Sequence, residues 1–391
     1  MTPVYLHALG IINALGDSVA SVRAGLYAGS TNGMVSRADL IRGRETCVGV
    51  VQGTLPAVGP EHAPYASRNI QILCAAIAQI RPQIDAAIAQ FGADRIGIVL
   101  GSSTSGAAEG FEALTARLRQ GAFPPGYDYR RQEMATPSEF LRHMLALGGP
   151  AWSVSTACTA SAKAFSSGRR LLKTGLCDAV IVGGVDSLCR LTLNGFNALE
   201  SIAGERCNPF SVNRDGINIG EGAAVFLMSR EPGPVALLGV GESSDAYHIS
   251  APDPEGRGAE TAMRMALADA GIDAGAVDYV NLHGTATVQN DLMESHVVDR
   301  VIGRSTPCSS TKPLVGHALG AAGATETGFC WILLTEPDAA GLPPHIWDGE
   351  CDPALAPLRL SSPGEIARCK VTLSNSFAFG GNNACLVLGR T

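Results

Sequence analysis

Short apolar runs alternate with longer alanine-rich stretches along most of this chain. Apolar runs of this kind are typical of buried strands, and the alanine-rich stretches are typical of helices. We predict strands at 96–100, 179–182, 223–228, 277–282 and 384–388. We predict helices at 70–91, 159–174, 260–270 and 316–335. Strands and helices in alternation indicate an α/β protein with buried strands.

Two glycine-rich segments resemble each other and indicate an internal duplication. Residues 215–228 and 376–388 each run from a glycine-rich turn into an apolar strand, and each closes one part of the chain. We therefore predict two similar α/β halves, 1–232 and 233–391, joined near Pro234. A chance similarity between two glycine-rich loops is the alternative.

The composition limits the class of protein. With 391 residues, of which 46% are hydrophobic and 17% charged, the chain can bury a large core. Its formal net charge of −7 and its isoelectric point near 5.6 argue against broad binding to nucleic acid or to anionic membranes. No apolar run approaches the roughly 20 residues that are needed to span a bilayer.

The cysteines and the N-terminal residues indicate the cellular compartment in which the protein is expected. Eleven cysteines are scattered without a Cys-x-x-Cys pair, in a chain too long to need disulfide bonds for its stability. The segment Met1–Gly10 lacks the basic region, the longer apolar core and the cleavage site of a secretory signal. We therefore expect reduced thiols and a cytoplasmic location.

Cys158 is the first candidate for chemistry. It lies among small residues in the segment 155–162, where an apolar strand is predicted to give way to a helix. The start of a helix favours a thiolate over a thiol and can also hold a developing oxyanion. A buried structural cysteine is the alternative for Cys158 considered alone.

Three further segments carry polar residues in otherwise apolar or glycine-rich surroundings. His283 directly follows a predicted strand, where α/β folds place ligand chemistry, although a histidine that only bonds its own loop is the alternative. Lys312 and His317 lie in the segment 309–326, whose glycines also fit tight helix packing. The loop 374–383 contains glycines that let its backbone approach a ligand closely, or form an ordinary tight turn.

Together these segments resemble one family, the elongating type of β-ketoacyl-acyl-carrier-protein synthase in the thiolase superfamily. The resemblance runs over nearly the whole chain and rests on five motifs in order: Thr156–Cys158, Asn208–Gly222, His283–Thr287, Lys312–Gly323 and Asn375–Gly381. It implies the thiolase fold, in which two βαβαβαββ halves form a five-layer αβαβα sandwich. It also implies an acyltransferase that condenses malonyl groups with acyl chains, in fatty-acid or polyketide synthesis.

The resemblance also implies a role for each main site residue. Cys158 would be the acylated nucleophile, and its N–H and that of Phe379 would form the oxyanion hole. His283 and His317 would assist decarboxylation of the malonyl group and stabilise the enolate. Phe379 would in addition gate the entry of malonyl, and Lys312 would organise the histidines.

Supporting residues follow from the same resemblance. Glu294 would pair with Lys312, since an unpaired buried lysine tends to lose its proton. Asp291 would be structural, and Thr285 and Thr287 would support the site within the first histidine motif. Thr104 would form part of the wall of the acyl pocket.

The implied partner is an acyl carrier protein, whose phosphopantetheine carries the substrates, and no other cofactor or metal is expected. The chain would form a homodimer, or a heterodimer with a ketosynthase-like chain-length subunit. The segment Tyr5–Asp17 also resembles ketosynthases of aryl-polyene pathways. An acidic carrier protein requires basic residues for docking, and the candidates are Arg68, Arg130, Arg131 and Arg206.

The sequence departs from the housekeeping synthases in two loops, which weakens a role in ordinary fatty-acid elongation. Residues 288–290 replace a common proline and glycine before Asp291, and Ala378 and Asn382 replace a common glycine and threonine. An initiating synthase is disfavoured because it carries asparagine in place of His317.

Three other classes share some of these features. A thiolase has the same fold but needs a second catalytic cysteine in its C-terminal glycine-rich loop, whereas Cys385 lies in the strand after that loop. A non-catalytic chain-length factor lacks the nucleophile that Cys158 would supply. A dinucleotide-binding protein is suggested only by glycines such as those of 239–241, which lack the third glycine of the fingerprint.

Overall fold

The protein is described here by a computed structural model that covers residues 3–336 and 340–391. The strands and helices of the first half, in chain order, are β1 (Val4–Ile12), α1 (Val19–Tyr27), β2 (Met34–Ile41), β3 (Arg44–Gly49), α2 (Arg68–Phe91), β4 (Ile96–Gly101), α3 (Ala107–Gln120), α4 (Thr136–Met144), β5 (Ala151–Val154), α5 (Ala160–Lys173), β6 (Ala179–Asp186), α6 (Arg190–Ala198) and β7 (Gly222–Ser229).

The second half follows after a short connection that contains Pro232 and Pro234. Its elements are β8 (Val235–Ser244), α7 (Arg257–Ala270), β9 (Tyr279–Asn281), α8 (Val288–Val301), β10 (Cys308–Ser309), α9 (Lys312–Val315), α10 (Ala322–Thr335), β11 (Ala340–Gly341), β12 (Ile366–Ala367), β13 (Val371–Ala378) and β14 (Asn382–Arg390).

The strand order repeats between the two halves. The described residues form a ten-stranded sheet in the order β10-β9-β13-β14-β8-β1-β7-β6-β4-β5. Read outward from its centre, the first half runs β1-β7-β6-β4-β5 and the second runs β8-β14-β13-β9-β10. The pairings match as well, since β1–β7 and β8–β14 are antiparallel while β4–β6 and β9–β13 are parallel. The predicted duplication is therefore visible in the topology, and the boundary at residue 232 stays a prediction.

The helices form layers on both sides of these strands. Helix α2 packs on β1 and β7 at one outer face, and α7 packs on β8 and β14 at the other. Helices α5 and α10 contact each other between the halves, α5 on β4 and β6 and α10 on β13. One apolar cluster, which includes Phe165 of α5, Phe226 of β7 and Phe329 of α10, joins the halves. The predicted α/β class and the αβαβα arrangement are confirmed.

Helix α2 is long and apolar enough, by length and composition, to cross a membrane. In this fold one face of α2 is buried against the sheet, through residues such as Ile70, Leu73, Ile77 and Ile84. The core helix of an α/β protein satisfies the same criteria of length and composition.

The predicted helix 316–335 is wrong in its first turns. Helix α10 begins only at Ala322, and the short helix α9 ends at Val315. His317 therefore lies in an irregular connection, in which Gly316 and Leu319 have φ of 72° and 47°. The left-handed backbone at these positions interrupts the helix.

Candidate active site

Cys158 lies in a sharp turn between strand β5 and helix α5. Ala157, directly before it, has φ of 51°, in the left-handed region that residues with a side chain rarely adopt. The hydroxyl of Thr159 donates to the carbonyl oxygen of Thr156 at 2.8 Å and closes the turn. Helix α5 begins at Ala160, and Cys158 is only 5% exposed. The turn therefore holds a buried thiol at the start of a helix.

His317 is held by backbone hydrogen bonds to a segment of the first half. Its N–H donates to the carbonyl oxygen of Asn218 at 2.6 Å, and its own carbonyl oxygen accepts from the N–H of Gly220 at 2.9 Å. A Cβ on Gly316 would lie 2.8 Å from the backbone of Gly220, so this approach requires glycine. Nε2 of His317 lies 2.9 Å from Sγ of Cys158. The backbone thus fixes the imidazole beside the thiol.

His283 follows strand β9, and a buried carboxyl group orients its loop. Oε1 and Oε2 of Glu294 accept hydrogen bonds from the N–H groups of His283 and Gly284, each at 2.7 Å. Nδ2 of Asn375 donates to Oε1 of the same carboxyl group at 3.2 Å. The rings of His283 and His317 are nearly perpendicular, with centroids 5.3 Å apart. Both predicted histidines therefore meet at one site.

Lys312 is buried and pairs with Glu326 rather than with Glu294. Its Nζ donates to Oε1 of Glu326 and to the carbonyl oxygen of His283, each at 2.5 Å. The prediction that Glu294 pairs with Lys312 is wrong, because both oxygens of Glu294 accept backbone N–H groups while α10 brings Glu326 to the ammonium. Lys312 and Glu294 thus both fix the backbone of His283. Lys312 binds its carbonyl oxygen, and Glu294 binds its N–H group.

Burial sets the protonation states at this site. Burial lowers the pKa of His283 and His317 well below the usual value, and the Lys312 ammonium lowers both pKa values further. Burial also raises the pKa of the Cys158 thiol to about 12, although Lys312 opposes this shift. At neutral pH the resting site therefore holds a thiol and two neutral imidazoles. The thiol, rather than the thiolate expected from the helix start, is therefore favoured at rest, because burial penalises the charged form.

A cavity of about 400 Å³ opens beside the thiol. Cys158, His283 and His317 lie in its wall together with Thr285 and Thr287, whose hydroxyl oxygens are 3.0 Å apart. The rest of the wall comes from the end of α6 and the residues after it, the segment 215–217 before β7, the loop after β8, the start of α8 and the β13–β14 hairpin. The first histidine motif thus contributes both hydroxyl groups and an imidazole to one cavity.

Phe379 lies in the turn of the β13–β14 hairpin, in the wall of the same cavity. Gly380 and Gly381, directly after it, have φ of 83° and 75°, which glycine adopts without strain. The centroid of the Phe379 ring lies 5.4 Å from that of Phe196 on α6. The structure thus brings Phe379 to the cavity that holds Cys158, and its gating and oxyanion roles stay predictions.

Asp291 and Thr104 have mainly structural surroundings. Asp291 is fully buried and accepts the N–H groups of Phe210 and Ala286 at 2.8 and 3.2 Å, as expected of a structural aspartate. Among the described residues, Thr104 is not part of the wall of this cavity, and its place in an acyl pocket stays a prediction. Its hydroxyl instead donates to Asp186 at 2.7 Å, which turns the side chain into the protein.

Sequence reasoning gave no role to Glu326 or Asn375. Glu326 neutralises Lys312, and Asn375 helps to hold Glu294. A usable signal for Glu326 was present, because it is the single charged residue between Gly316 and Thr335. Asn375 begins one of the five motifs, but that motif did not indicate that its side chain would hold Glu294.

The four predicted docking arginines lie away from the cavity, within the described part of the chain. Two of them form ion pairs, Arg68 with the buried Glu221 at 2.5 Å and Arg130 with Asp128 at 2.6 Å. Arg131 and Arg206 instead donate hydrogen bonds to oxygen atoms of neighbouring segments. Their role in docking stays a prediction.

Comparison with known families agrees with this geometry. Residues 51–232 match the family described as "Beta-ketoacyl synthase, N-terminal domain", and residues 235–340 match "Beta-ketoacyl synthase, C-terminal domain". The chain belongs to the β-ketoacyl synthase family. The resemblance stated from the five motifs is therefore confirmed, and both domains of the family contribute to the site.

Individual relatives in this family include two curated synthases. The "3-oxoacyl-[acyl-carrier-protein] synthase 2" of Rhizobium meliloti (strain 1021) is 37% identical over 290 residues, which is 68% of this chain and 66% of that protein. The chain thus spans slightly less than two thirds of this relative. The protein of the same name from Staphylococcus aureus (strain COL) is 32% identical over 319 residues, 75% of each chain.

A solved structure covers the whole chain. It is titled "Ketosynthase (ApeO) in Complex with its Chain Length Factor (ApeC) from Xenorhabdus doucetiae" and is 46% identical, with a TM-score of 0.95. The alignment covers 100% of this chain and 98% of that chain. The predicted ketosynthase fold is confirmed over its full length.

Proposed function

We propose that this protein is a β-ketoacyl-acyl-carrier-protein synthase, which joins a malonyl unit to an acyl chain held on Cys158 with loss of carbon dioxide. The observation that carries the proposal is the meeting of one thiol and two neutral imidazoles in the wall of one cavity. Family membership and the names of the relatives support the same reaction.

Acyl transfer to Cys158 is the first step. His317 Nε2, at 2.9 Å, takes the thiol proton as Sγ attacks the carbonyl carbon of the acyl thioester. The carbon–sulfur bond to the carrier then breaks, and the leaving thiolate takes up the proton from His317, which becomes neutral again. The N–H groups of Cys158 and Phe379 are the proposed donors to the tetrahedral oxyanion.

Condensation is the second step. The malonyl thioester loses carbon dioxide, and the electron pair of the broken carbon–carbon bond forms an enolate. His283 donates an N–H group to the enolate oxygen, and His317 does so as its Nε2–H tautomer, which is available once Sγ carries the acyl group instead of a proton. One preorganised donor contributes about 3 kcal/mol. The enolate carbon attacks the acyl carbonyl, and Cys158 leaves as the thiolate and is protonated again.

The substrates are proposed to arrive on the phosphopantetheine of an acyl carrier protein, without a metal or other cofactor. The names of the curated relatives, which specify acyl-carrier-protein substrates, support this proposal. Thr285 and Thr287 provide hydroxyl groups in the cavity wall that fit the amides of such an arm. The described cysteines are all free thiols, which fits the proposed cytoplasmic location.

We further propose that the chain works with a ketosynthase-like chain-length subunit in an aryl-polyene pathway. The similarity to the ApeO–ApeC complex supports this partner. Helix α3 exposes three apolar side chains on one face, Phe111, Leu114 and Leu118 at 42%, 51% and 79%, as interaction surfaces do. The alternative partner is a second copy of the same chain. Co-purification of this chain with a candidate chain-length subunit would distinguish a heterodimer from a homodimer.

A thiolase activity receives no support from the cavity. The second cysteine of such an enzyme would have to reach the substrate, but Cys385 is fully buried in β14 and lies outside the wall beside Cys158, among the described residues. A chain-length factor is disfavoured because Cys158 is present and is in contact with His317.

The experiment is acylation followed by intact mass spectrometry. Incubation with acyl-carrier-protein thioesters should add the acyl mass to the wild-type chain and not to Cys158→Ala. Aryl-polyene and saturated acyl groups should be compared, because the pathway proposal expects faster transfer of the former. Undiminished acylation of the alanine variant would exclude the assignment of the nucleophile.

The histidines are tested by separating the two steps. His283→Ala should retain acylation but slow release of carbon dioxide from malonyl carrier protein by about 10²–10³-fold, since it removes an enolate donor. His317→Ala should slow both steps, because Nε2 is also the base nearest to Sγ. Normal condensation by either variant would contradict the proposed roles.

A further inference from the structure

The groups proposed for catalysis also form a compact set of metal-ligand atoms. One ring nitrogen from each of His283 and His317 and Sγ of Cys158 lie within 4.8 Å of one another. Zinc lies about 2.0–2.3 Å from nitrogen and sulfur ligands, so ligand atoms around one tetrahedral ion are about 3.5 Å apart. To bind one ion, the Cys158–His317 pair at 2.9 Å would have to separate slightly, and any pair near the 4.8 Å limit would have to approach.

The imidazoles have nitrogen atoms that the protein does not use. Nδ1 of His283 and Nδ1 of His317 are buried without a hydrogen-bond partner among the described residues. Ligating histidines usually donate their second ring N–H to a carboxylate or carbonyl, which strengthens the site. A site without this support is expected to bind an ion less tightly than a structural zinc site and to release it.

The charges around the cluster permit a cation. The Lys312 ammonium would oppose it, but Lys312 is neutralised by Glu326 at 2.5 Å. Ligation converts the Cys158 thiol to a thiolate, so one sulfur–metal bond forms while one proton leaves to solvent. The cavity provides the path of entry and leaves room for a water molecule as the fourth ligand.

We propose that Cys158, His283 and His317 bind Zn²⁺ or a similar thiophilic divalent cation reversibly, and that the bound ion inhibits the protein. Two imidazoles and one thiolate with an open fourth position suit zinc rather than magnesium or calcium, which prefer oxygen ligands. The ion would occupy the nucleophile and both enolate donors at once. The binding stands on geometry alone, whereas the inhibition rests on the proposed function.

Binding is tested directly with Co²⁺, which replaces zinc and gives a near-ultraviolet absorption when a thiolate is bound. Metal-free wild-type protein should bind one equivalent more than Cys158→Ser, with this absorption. Cys351→Ala removes an exposed thiol elsewhere and should behave as wild type. An unchanged cobalt spectrum in Cys158→Ser, or no thiolate band in the wild type, would overturn the site.

The histidine ligands require their own variants. His283→Gln and His317→Gln should each weaken Co²⁺ binding by about tenfold or more, since even the loss of a residue that supports a ligand costs about 10–100-fold in metal affinity. Circular dichroism of each variant checks that the fold is kept. Equal binding by both glutamine variants and the wild type would show that the cobalt ligands lie elsewhere.

Inhibition is tested on the acylation step. When free Zn²⁺ is ten times its Kd, about a tenth of the sites stay open, so acylation of Cys158 should slow about tenfold and recover with chelator. Alkylation of Cys158 by iodoacetamide should slow equally. Bound Zn²⁺ without slower acylation would overturn the inhibition. A metal-free protein that is never acylated would contradict the proposed function, while the cobalt titration would still report on the site.

Discussion

The Cys158 side chain has two properties with opposite effects on its reactivity. It is buried, so its pKa is raised to about 12, yet Nε2 of His317 is only 2.9 Å from its sulfur. A buried thiol with an adjacent neutral base is stable at rest and reactive when a thioester arrives. We infer that the proton moves to His317 during attack, rather than before the substrate binds.

The raised pKa predicts how alkylation of Cys158 depends on pH. Because burial raises the pKa of the thiol to about 12 and the thiolate is the more reactive form, the rate constant for Cys158 should still be rising between pH 9 and 10, without a plateau. The measurement is iodoacetamide labelling, with peptide mass spectrometry of the segment that contains Cys158. Free cysteine in the same buffers provides the reference, with a plateau above a pKa of about 8.5. A plateau at Cys158 below pH 9 would contradict the buried-thiol description.

Glu294 is predicted to hold the His283 loop through both of its oxygen atoms. Glu294→Gln leaves one acceptor oxygen for two backbone N–H groups, so one buried donor loses its partner and unfolding becomes easier by about 1–3 kcal/mol. Carbon dioxide release should slow more than acylation, because His283 is displaced. Chemical denaturation and the two step-specific assays measure these effects.

The matched control for Glu294→Gln is Glu112→Gln, at an exposed position on α3. An exposed substitution of this kind is expected to change the free energy of unfolding by no more than about 0.5 kcal/mol. Equal stability of Glu294→Gln and the control would show that the backbone hydrogen bond lost in Glu294→Gln is dispensable.

Individual residues show what the sequence could and could not predict. Cys158, His283 and His317 were predicted to share one site because each lies in a distinctive motif, and they do. The partner of Lys312 was predicted wrongly, because the sequence does not show which of the two acids, Glu294 or Glu326, lies beside the ammonium group. Only the position of α10 against the His283 loop decides between them.

At the scale of elements, the connection between α9 and α10 is the part that positions chemistry. In this connection, backbone hydrogen bonds join His317 to Asn218 and Gly220. Two residues with positive φ, Gly316 and Leu319, interrupt the helix there. An alanine-rich sequence predicts a continuous helix, because helix propensity does not report such tertiary contacts. Four of the five predicted strands correspond to β4, β6, β7 and β14, each of which is longer than its apolar run. The predicted strand 277–282 is shortened to β9, Tyr279–Asn281.

Gly316 is predicted to be essential to this connection. Gly316→Ala adds a side chain where φ is 72° and where its Cβ would meet the backbone of Gly220 at 2.8 Å. The backbone of Gly316, with φ of 72° and ψ of 174°, is essentially restricted to glycine and costs a residue with a side chain about 1–3 kcal/mol, and the overlap costs about 1–3 kcal/mol more. Acylation should also fall, because His317 moves away from Cys158. Chemical denaturation and intact mass spectrometry measure both effects.

Gly364→Ala separates the two contributions. Gly364 has φ of 80° but open space where a Cβ would lie, so the substitution should carry only the backbone cost and leave acylation unchanged. If Gly316→Ala were no more destabilising than Gly364→Ala, the close approach to Gly220 would have no energetic weight.

At the scale of the whole molecule, the site is assembled between two structurally equivalent halves. The first half provides Cys158, and the second provides His283, His317 and Phe379. The two segments whose similarity indicated duplication lead into β7 and β14, which occupy equivalent places in the strand order. Pairing of β1 with β8 and the shared apolar cluster could not be read from the sequence, because both depend on contacts between distant segments.

The shared core predicts that the two halves stay together when the chain between them is cut. The connection is exposed at Glu231, Pro232 and Pro234, so a protease recognition sequence inserted there should be tolerated and cleaved. Because α5 of one half packs on α10 of the other, and the apolar cluster spans both, cleavage breaks one peptide bond without opening the core.

The cleaved protein should elute as one species and acylate Cys158 as before. Size-exclusion chromatography and intact mass spectrometry provide the two measurements, with the uncleaved insertion variant as control. Separation of the fragments, or loss of acylation on cleavage alone, would show that the connection itself holds the site together.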